Sequence, residues 1–202
     1  MTDPVDLRYL NSLYAASSDP WQLSDGWYER RKRDLVLASL LRAHYTTAFE
    51  PGCSTGELTV RLADRVDTLL AADYHAEAVR TARRRTANLA QVEVRQLLLP
   101  EQWPMEQEFD LIVLSEIGYF FRPEAWSRLC QLTANSTGPD STVIACHWRH
   151  DFPERRLATS VLHELLAEAL VRPCRTHLLD EDFLIDVWGG SGGSIASTEG
   201  KT

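Results

Sequence analysis

The feature that most limits the fold of this chain is an alternation. Short apolar runs of strand length take turns with longer stretches whose apolar residues recur every three or four positions. Seven strands are predicted, at 46–50, 68–72, 92–96, 109–115, 141–147, 175–179 and 183–188. Helical patterns lie over 31–43, from Ser54 onward through Leu58, Leu62 and Val66, over 76–88, from Pro123 onward and over 157–170. The run FDLIVLS at 109–115 is nearly continuous in apolar residues, as in a strand covered on both faces. Strands separated by helices need crossover connections, so the sheet is expected to be mainly parallel. The last two strands are joined only by Asp180, Glu181 and Asp182. A link that short favours an antiparallel pair at the sheet edge. The expected fold class is therefore α/β and Rossmann-like: a seven-stranded, mostly parallel sheet with one antiparallel edge strand and helices on both faces.

Composition narrows the function. The formal net charge of −8 argues against a partner held by phosphate neutralisation, so no nucleic-acid partner is expected. Nearly all positive charge is arginine, with lysine only at Lys32 and Lys201. The Arg83-Arg84-Arg85 run reads as a solvated face near a helix C-terminus. No apolar run reaches the roughly 20 residues a membrane span needs, and MTDPVDLRYL does not read as a signal peptide. Cys53, Cys130, Cys146 and Cys174 are scattered, as isolated thiols of a cytoplasmic protein would be. No metal site is expected, and the acids at 180–182 read as a hairpin tip. One domain is expected over 1–188, with 1–45 as an N-terminal helical cap and lid and 189–202 as a flexible tail; the protein is expected to be a monomer or weak dimer.

The stretch FEPGCSTGE at 49–57 ends one predicted strand and opens a helix. Gly52 permits a turn that other residues resist and a close approach of ligand to main chain. Gly56 would let the helix pack close to the strand, with Ser54 or Thr55 as its N-cap. A helix N-terminus offers free N–H groups to a polar or anionic ligand. Asp73 follows Gly56 by 17 residues and ends the second strand, where an acid can accept both hydroxyls of a ribose. Loop and acid together suggest a nucleoside-bearing cofactor. The GxxxG spacing departs from the GxGxxG of nicotinamide enzymes, and no Gly-Lys-Ser/Thr ending marks a phosphate loop.

EPGCSTGEL, AADYHAEAV and FDLIVLSEIGYFF together resemble motifs of class I S-adenosylmethionine-dependent methyltransferases. With the Ser18-Asp-Pro-Trp21 segment and ACHWRH at 145–150, the chain is similar to the NodS family around the rhizobial nodulation methyltransferase. The resemblance covers about 19–188. It implies S-adenosyl-L-methionine as cofactor. Glu50, Gly52 and Gly56, with Cys53 and Thr55 of the same loop, would surround its methionine part. Asp73 would hold the ribose, Tyr74 would lie against the adenine, and Leu97 or Leu98 would edge the base. Ser115 and Glu116 would sit beside the sulfonium, and Trp21 would help close the pocket. The third region reads QLLLPEQ, without the acid that many members place against the adenine amine.

The resemblance further implies methylation of the free amine of an amino sugar or deacetylated oligosaccharide. An amine must be neutral to attack, so a proton acceptor would help. Glu116 and His147 are the candidates, with Tyr119 beside them. Plainer readings stand next to these: a satisfied strand-end histidine at 147, a capping role for Glu116, a core position for Tyr119, Phe120 and Phe121. Rival functions are O-methylation of a small natural product and a non-catalytic cofactor-binding protein.

Overall fold

The computed structural model describes residues 7–17, 19–21, 26–190 and 193–201. Its strands are β1 (Tyr45–Pro51), β2 (Val66–Asp73), β3 (Val92–Gln96), β4 (Phe109–Ser115), β5 (Thr137–Trp148), β6 (Cys174–Leu179) and β7 (Phe183–Trp188). Its helices are α1 (Leu7–Ala16), α2 (Trp27–Ala38), α3 (Glu57–Ala63), α4 (Ala76–Arg85), α5 (Pro123–Asn135), α6 (Thr159–Leu170) and α7 (Ile195–Thr198). The seven strands form one sheet in the order β3-β2-β1-β4-β5-β7-β6. The first five are parallel. The expected antiparallel pair is at the edge, and β7 is the strand that runs against its neighbours. It lies one position in, between β5 and β6, so β6 is outermost.

Alternation along the strands builds a core on each face. In β4, Ile112 and Leu114 pack with Phe49, Trp126, Leu129, Leu162 and Leu166, which brings α5 and α6 onto one side. Leu111 and Val113 point the other way, to Val36, Leu58, Leu62 and Leu69, under α2 and α3. Ala71 and Val94 continue that second side beneath Val79 and Ala82 of α4. Both sets in β4 are fully buried, which is why 109–115 lacks a polar face. From β1 the chain winds outward to β2 and β3, then crosses back to β4 and on to β5. The reversal between β1 and β4 opens a crevice at the carboxyl ends of the strands.

Three expectations shift. The helix predicted over 31–43 runs over Trp27–Ala38 instead, with Ser39 as its C-cap, whose N–H and hydroxyl both bond the Leu35 carbonyl. Arg65 then holds the following loop through the carbonyls of Arg42 and Ala43. The N-cap of α3 is neither Ser54 nor Thr55 but Gly56, in the left-handed region at φ +82°. The described part of the glycine-rich 189–202 stretch carries one helical turn, α7, capped by the Ser194 hydroxyl. Asp180 pairs with Arg31, and Asp182 with His150, so the hairpin acids face separate partners. No described helix is long and apolar enough to cross a membrane.

Candidate active site

The loop after β1 is drawn onto the tip of β2. The N–H groups of Gly52 and Cys53 donate to the Ala72 carbonyl at 2.7 and 2.9 Å. Gly52 sits at φ +79°, and a Cβ there would fall 2.8 Å from the Ile117 side chain. Both constraints call for glycine. Gly56 also serves a close approach, but not the one expected. A Cβ there would meet Ala82 at 3.1 Å, so it lets α3 approach α4 rather than the strand.

Asp73 fastens the loop. Its carboxylate accepts the Ser54 N–H at 2.9 Å and the His75 N–H at 2.8 Å. Burial still holds its pKa above the ordinary value, against those hydrogen bonds. Glu50, at the end of β1, is 3% exposed and accepts the Thr59 hydroxyl at 2.6 Å. Burial pushes its carboxyl up to about 8.

Two cavities meet over this loop. The smaller, about 100 Å³, is lined by Asp73, Tyr74, Leu97 and Leu98 and roofed by Tyr14 of α1. The Tyr14 hydroxyl bonds Ser54, and its ring stacks on His75 at 4.2 Å. The larger, about 420 Å³, is lined by Glu50, Cys53, Ser115, Glu116 and Tyr119, with Tyr28, Glu29, Lys32 and Arg33 of α2. Trp21, Gly52, Ser54 and Phe120 line both. Ser18 of the quoted motif lies outside the described residues.

Glu116 stands at the junction of β4 and the next loop. It adopts φ +57°, and its N–H donates to the Cys146 carbonyl. One carboxylate oxygen, Oε2, accepts the Tyr119 hydroxyl at 2.5 Å. The other, Oε1, is buried without a hydrogen-bond partner, 3.7 Å from Lys32 Nζ. Burial raises the Glu116 pKa, and Lys32 and Tyr119 oppose the rise. Lys32 is itself 5% exposed; burial lowers its pKa, but Glu116 and Glu29 outweigh that and leave it raised. The Tyr28 hydroxyl is also buried without a hydrogen-bond partner.

Three sequence-based candidates fall outside the cavities. Thr55 is buried and lines neither. Gly56 lies between two helices. His147, expected as a possible base, is 0% exposed, and both ring nitrogens are engaged, by the Gly118 N–H and by His163. It has no free lone pair for a substrate proton, which removes it from that role. The residues missed include Tyr14 of α1 and Glu29, Lys32 and Arg33 of α2. The one available signal was that Lys32 is one of two lysines in an arginine-rich chain.

The family model for nodulation protein S (NodS) matches residues 7–186. The chain belongs to the NodS family. Nodulation protein S of Rhizobium tropici is 32% identical over 117 residues, 56% of this chain. That match spans 48%, about half, of the relative's length. A solved structure from Pseudomonas syringae, assigned as a methyltransferase, is 41% identical over 81% of this chain and 99% of its own, with a TM-score of 0.72. The N-methyltransferase NodS from Bradyrhizobium japonicum WM9, in complex with S-adenosyl-L-homocysteine, shares the fold at 21% identity and a TM-score of 0.75, over 92% of this chain and 98% of its own. This NodS-family chain is a class I S-adenosylmethionine-dependent methyltransferase. Its crevice suits that cofactor. Two cavities joined at a glycine that leaves room for main-chain approach, an acid at the tip of β2 and a buried His75 Nδ1 without a hydrogen-bond partner, in a residue lining the smaller cavity, are features that could hold a nucleoside and an amino acid.

Proposed function

We propose that the protein N-methylates the free amine of an amino sugar or deacetylated oligosaccharide. The observation that carries this reading is the acidity of the larger cavity. Glu29, Glu57 and Glu116 line it against Lys32 and Arg33, and Glu50 adds a fourth carboxyl that ionises only as pH nears about 8. A cationic acceptor is drawn to such a wall, and it must lose a proton before it attacks. In this reading Glu116 takes that proton on Oε1, the oxygen with no hydrogen bond, while Tyr119 holds the other oxygen. Lys32 keeps the carboxylate form within reach in spite of burial. The Tyr28 hydroxyl would serve a hydroxyl next to the amine. Trp21, Phe120, Trp148 and Phe152 offer flat faces to a sugar ring.

S-adenosylmethionine, when bound, supplies the electrophilic methyl group. Asp73 would accept the ribose hydroxyls, Tyr74, Leu97 and Leu98 would border the base, and Glu50 would face the methionine ammonium. Trp21 and Ser115 would close around the sulfonium, and Cys53 would wall the methionine arm. The chain's own contribution to rate is alignment of nucleophile and proton acceptor, worth about 7–11 kcal/mol when complete. The free thiols Cys53, Cys130, Cys146 and Cys174 fit a reducing, cytoplasmic setting.

The test is transfer of labelled methyl to glucosamine oligomers, their fully acetylated forms and phenolic acceptors. Label is expected only on the free amines. Glu116→Gln is expected to lower kcat by about 10²–10⁴ while S-adenosylhomocysteine still raises the melting temperature. Label on phenols or acetylated oligomers would refute the amine reading.

A further inference from the structure

The three buried groups His147, His163 and Asp186 take no part in the chemistry above, yet they are joined end to end. The Gly118 N–H donates to His147 Nε2 at 3.0 Å. His147 Nδ1 lies 3.0 Å from His163 Nε2, and His163 Nδ1 lies 2.7 Å from Asp186 Oδ2. An amide can only donate, and this fixes the sense of every later bond. His147 accepts at Nε2, so its single proton sits on Nδ1 and is donated to His163. His163 accepts at Nε2, so its own proton sits on Nδ1 and is donated to the Asp186 carboxylate. Burial holds the His147 pKa well below the ordinary value, with His163, Arg155 and Lys32 adding to it, consistent with a neutral ring. Burial alone would raise the Asp186 pKa, but hydrogen bonds from His163 and His177 bring it below the ordinary value, so the chain ends on an anion.

The far end of this series is the turn between Glu116 and Tyr119. Gly118 has no slack there: a Cβ would fall 2.9 Å from His147 Nε2, 2.9 Å from Leu162 and 3.0 Å from Trp126. Glu116 is in the left-handed region at φ +57°, which a non-glycine residue keeps only when its surroundings hold it. We propose that Asp186, His163 and His147 are positioning residues. They fix the direction of the buried imidazole hydrogen bonds, clamp the Gly118 amide, and so hold the Glu116–Tyr119 pair against the acceptor end of the larger cavity. The catalytic part of this rests on the role given to Glu116 above.

The experiment uses the full chain with nitrogen-15 labelling. Ring spectra are expected to show His147 and His163 each protonated at Nδ1 and bare at Nε2. A proton on His147 Nε2 overturns the clamp without any variant. His163→Leu is expected to speed hydrogen exchange of the Gly118 amide about tenfold while the β4 amides of Ile112 and Leu114 stay protected. With glucosamine oligomers as acceptor, kcat should then fall about 100-fold, with a much smaller change in acceptor KM. Asp186→Asn still presents an oxygen to His163, and it should keep both readouts close to those of the unaltered protein, whereas Asp186→Leu should not. Unchanged Gly118 exchange in His163→Leu, or equal damage from Asp186→Asn and Asp186→Leu, overturns the proposal. The ring and amide readouts need no acceptor. If the unaltered protein methylates no amine, the acceptor reading fails while the clamp is still judged on its own signals.

Discussion

Glu50 offers a prediction that needs no acceptor. Its carboxyl is buried with a pKa of about 8, against an ordinary 4.5. Each pKa step of one is worth about 1.4 kcal/mol, so ionising Glu50 in the folded protein costs at most about 5 kcal/mol more than in the unfolded chain. The folded value lies above the unfolded one. The stabilising contribution is therefore complete below 4.5 and is lost as pH climbs through about 8. Glu50→Gln keeps an oxygen for the Thr59 hydroxyl but cannot ionise. Urea unfolding of both proteins from about pH 5 to about pH 9 isolates the effect, because titrations common to both cancel. The unaltered protein should lose stability relative to Glu50→Gln over that range, with a slope of no more than about 1.4 kcal/mol per pH step for a single proton. Under the proposed function an ammonium beside Glu50 favours its ionised form. S-adenosylhomocysteine should then bind more tightly as pH rises toward about 8 in the unaltered protein and not in Glu50→Gln. A stability difference flat to within about 0.5 kcal/mol across the range would refute the buried, proton-bearing Glu50.

Gly52→Ala sets a side chain 2.8 Å from Ile117 at a left-handed backbone angle; it should cost about 2–4 kcal/mol in unfolding free energy and abolish the S-adenosylhomocysteine thermal shift. Trp126 is 0% exposed and donates to the Leu162 carbonyl, so Trp126→Ala should cost about 3–5 kcal/mol in urea unfolding. Tyr28→Phe removes a buried hydroxyl that has no hydrogen-bond partner; stability should hold or rise by about 1 kcal/mol while acceptor KM increases, and a stability loss above about 2 kcal/mol would show that the hydroxyl is satisfied.

Much of the sheet was legible: β4 and β7 were bounded correctly from the apolar runs that burial on both faces leaves, and β3 from its alternation. The start of β5 was not: Thr137 to Ser141 reads TGPDS, and Thr137 enters the sheet only through pairing with Phe109, a partner local pattern cannot name. The glycine loop and Asp73 were legible because their chemistry follows a strand end. Lys32 and Glu29 were not, since a periodicity reading of α2 looks for its apolar face and assigns charge to solvent. His147 was misjudged for a related reason. Its strand-end position is local information, but the His163 and Asp186 that consume its ring nitrogens stand 16 and 39 residues further along.

The inward place of β7 bears on how the protein comes to exist. Strands β1 to β5 can collapse while the chain is being synthesised, but β5 then presents an open flank until 183–188 have been made. In the finished sheet Val143, Ile144, Ala145 and Cys146 of that flank are at most 1% exposed. A nascent chain thus offers a sticky ribbon until that hairpin is made, and the hairpin of a second copy could fill it as well as its own. Exchange of the β6–β7 arm between two molecules is the misassembly to look for when this protein is overproduced.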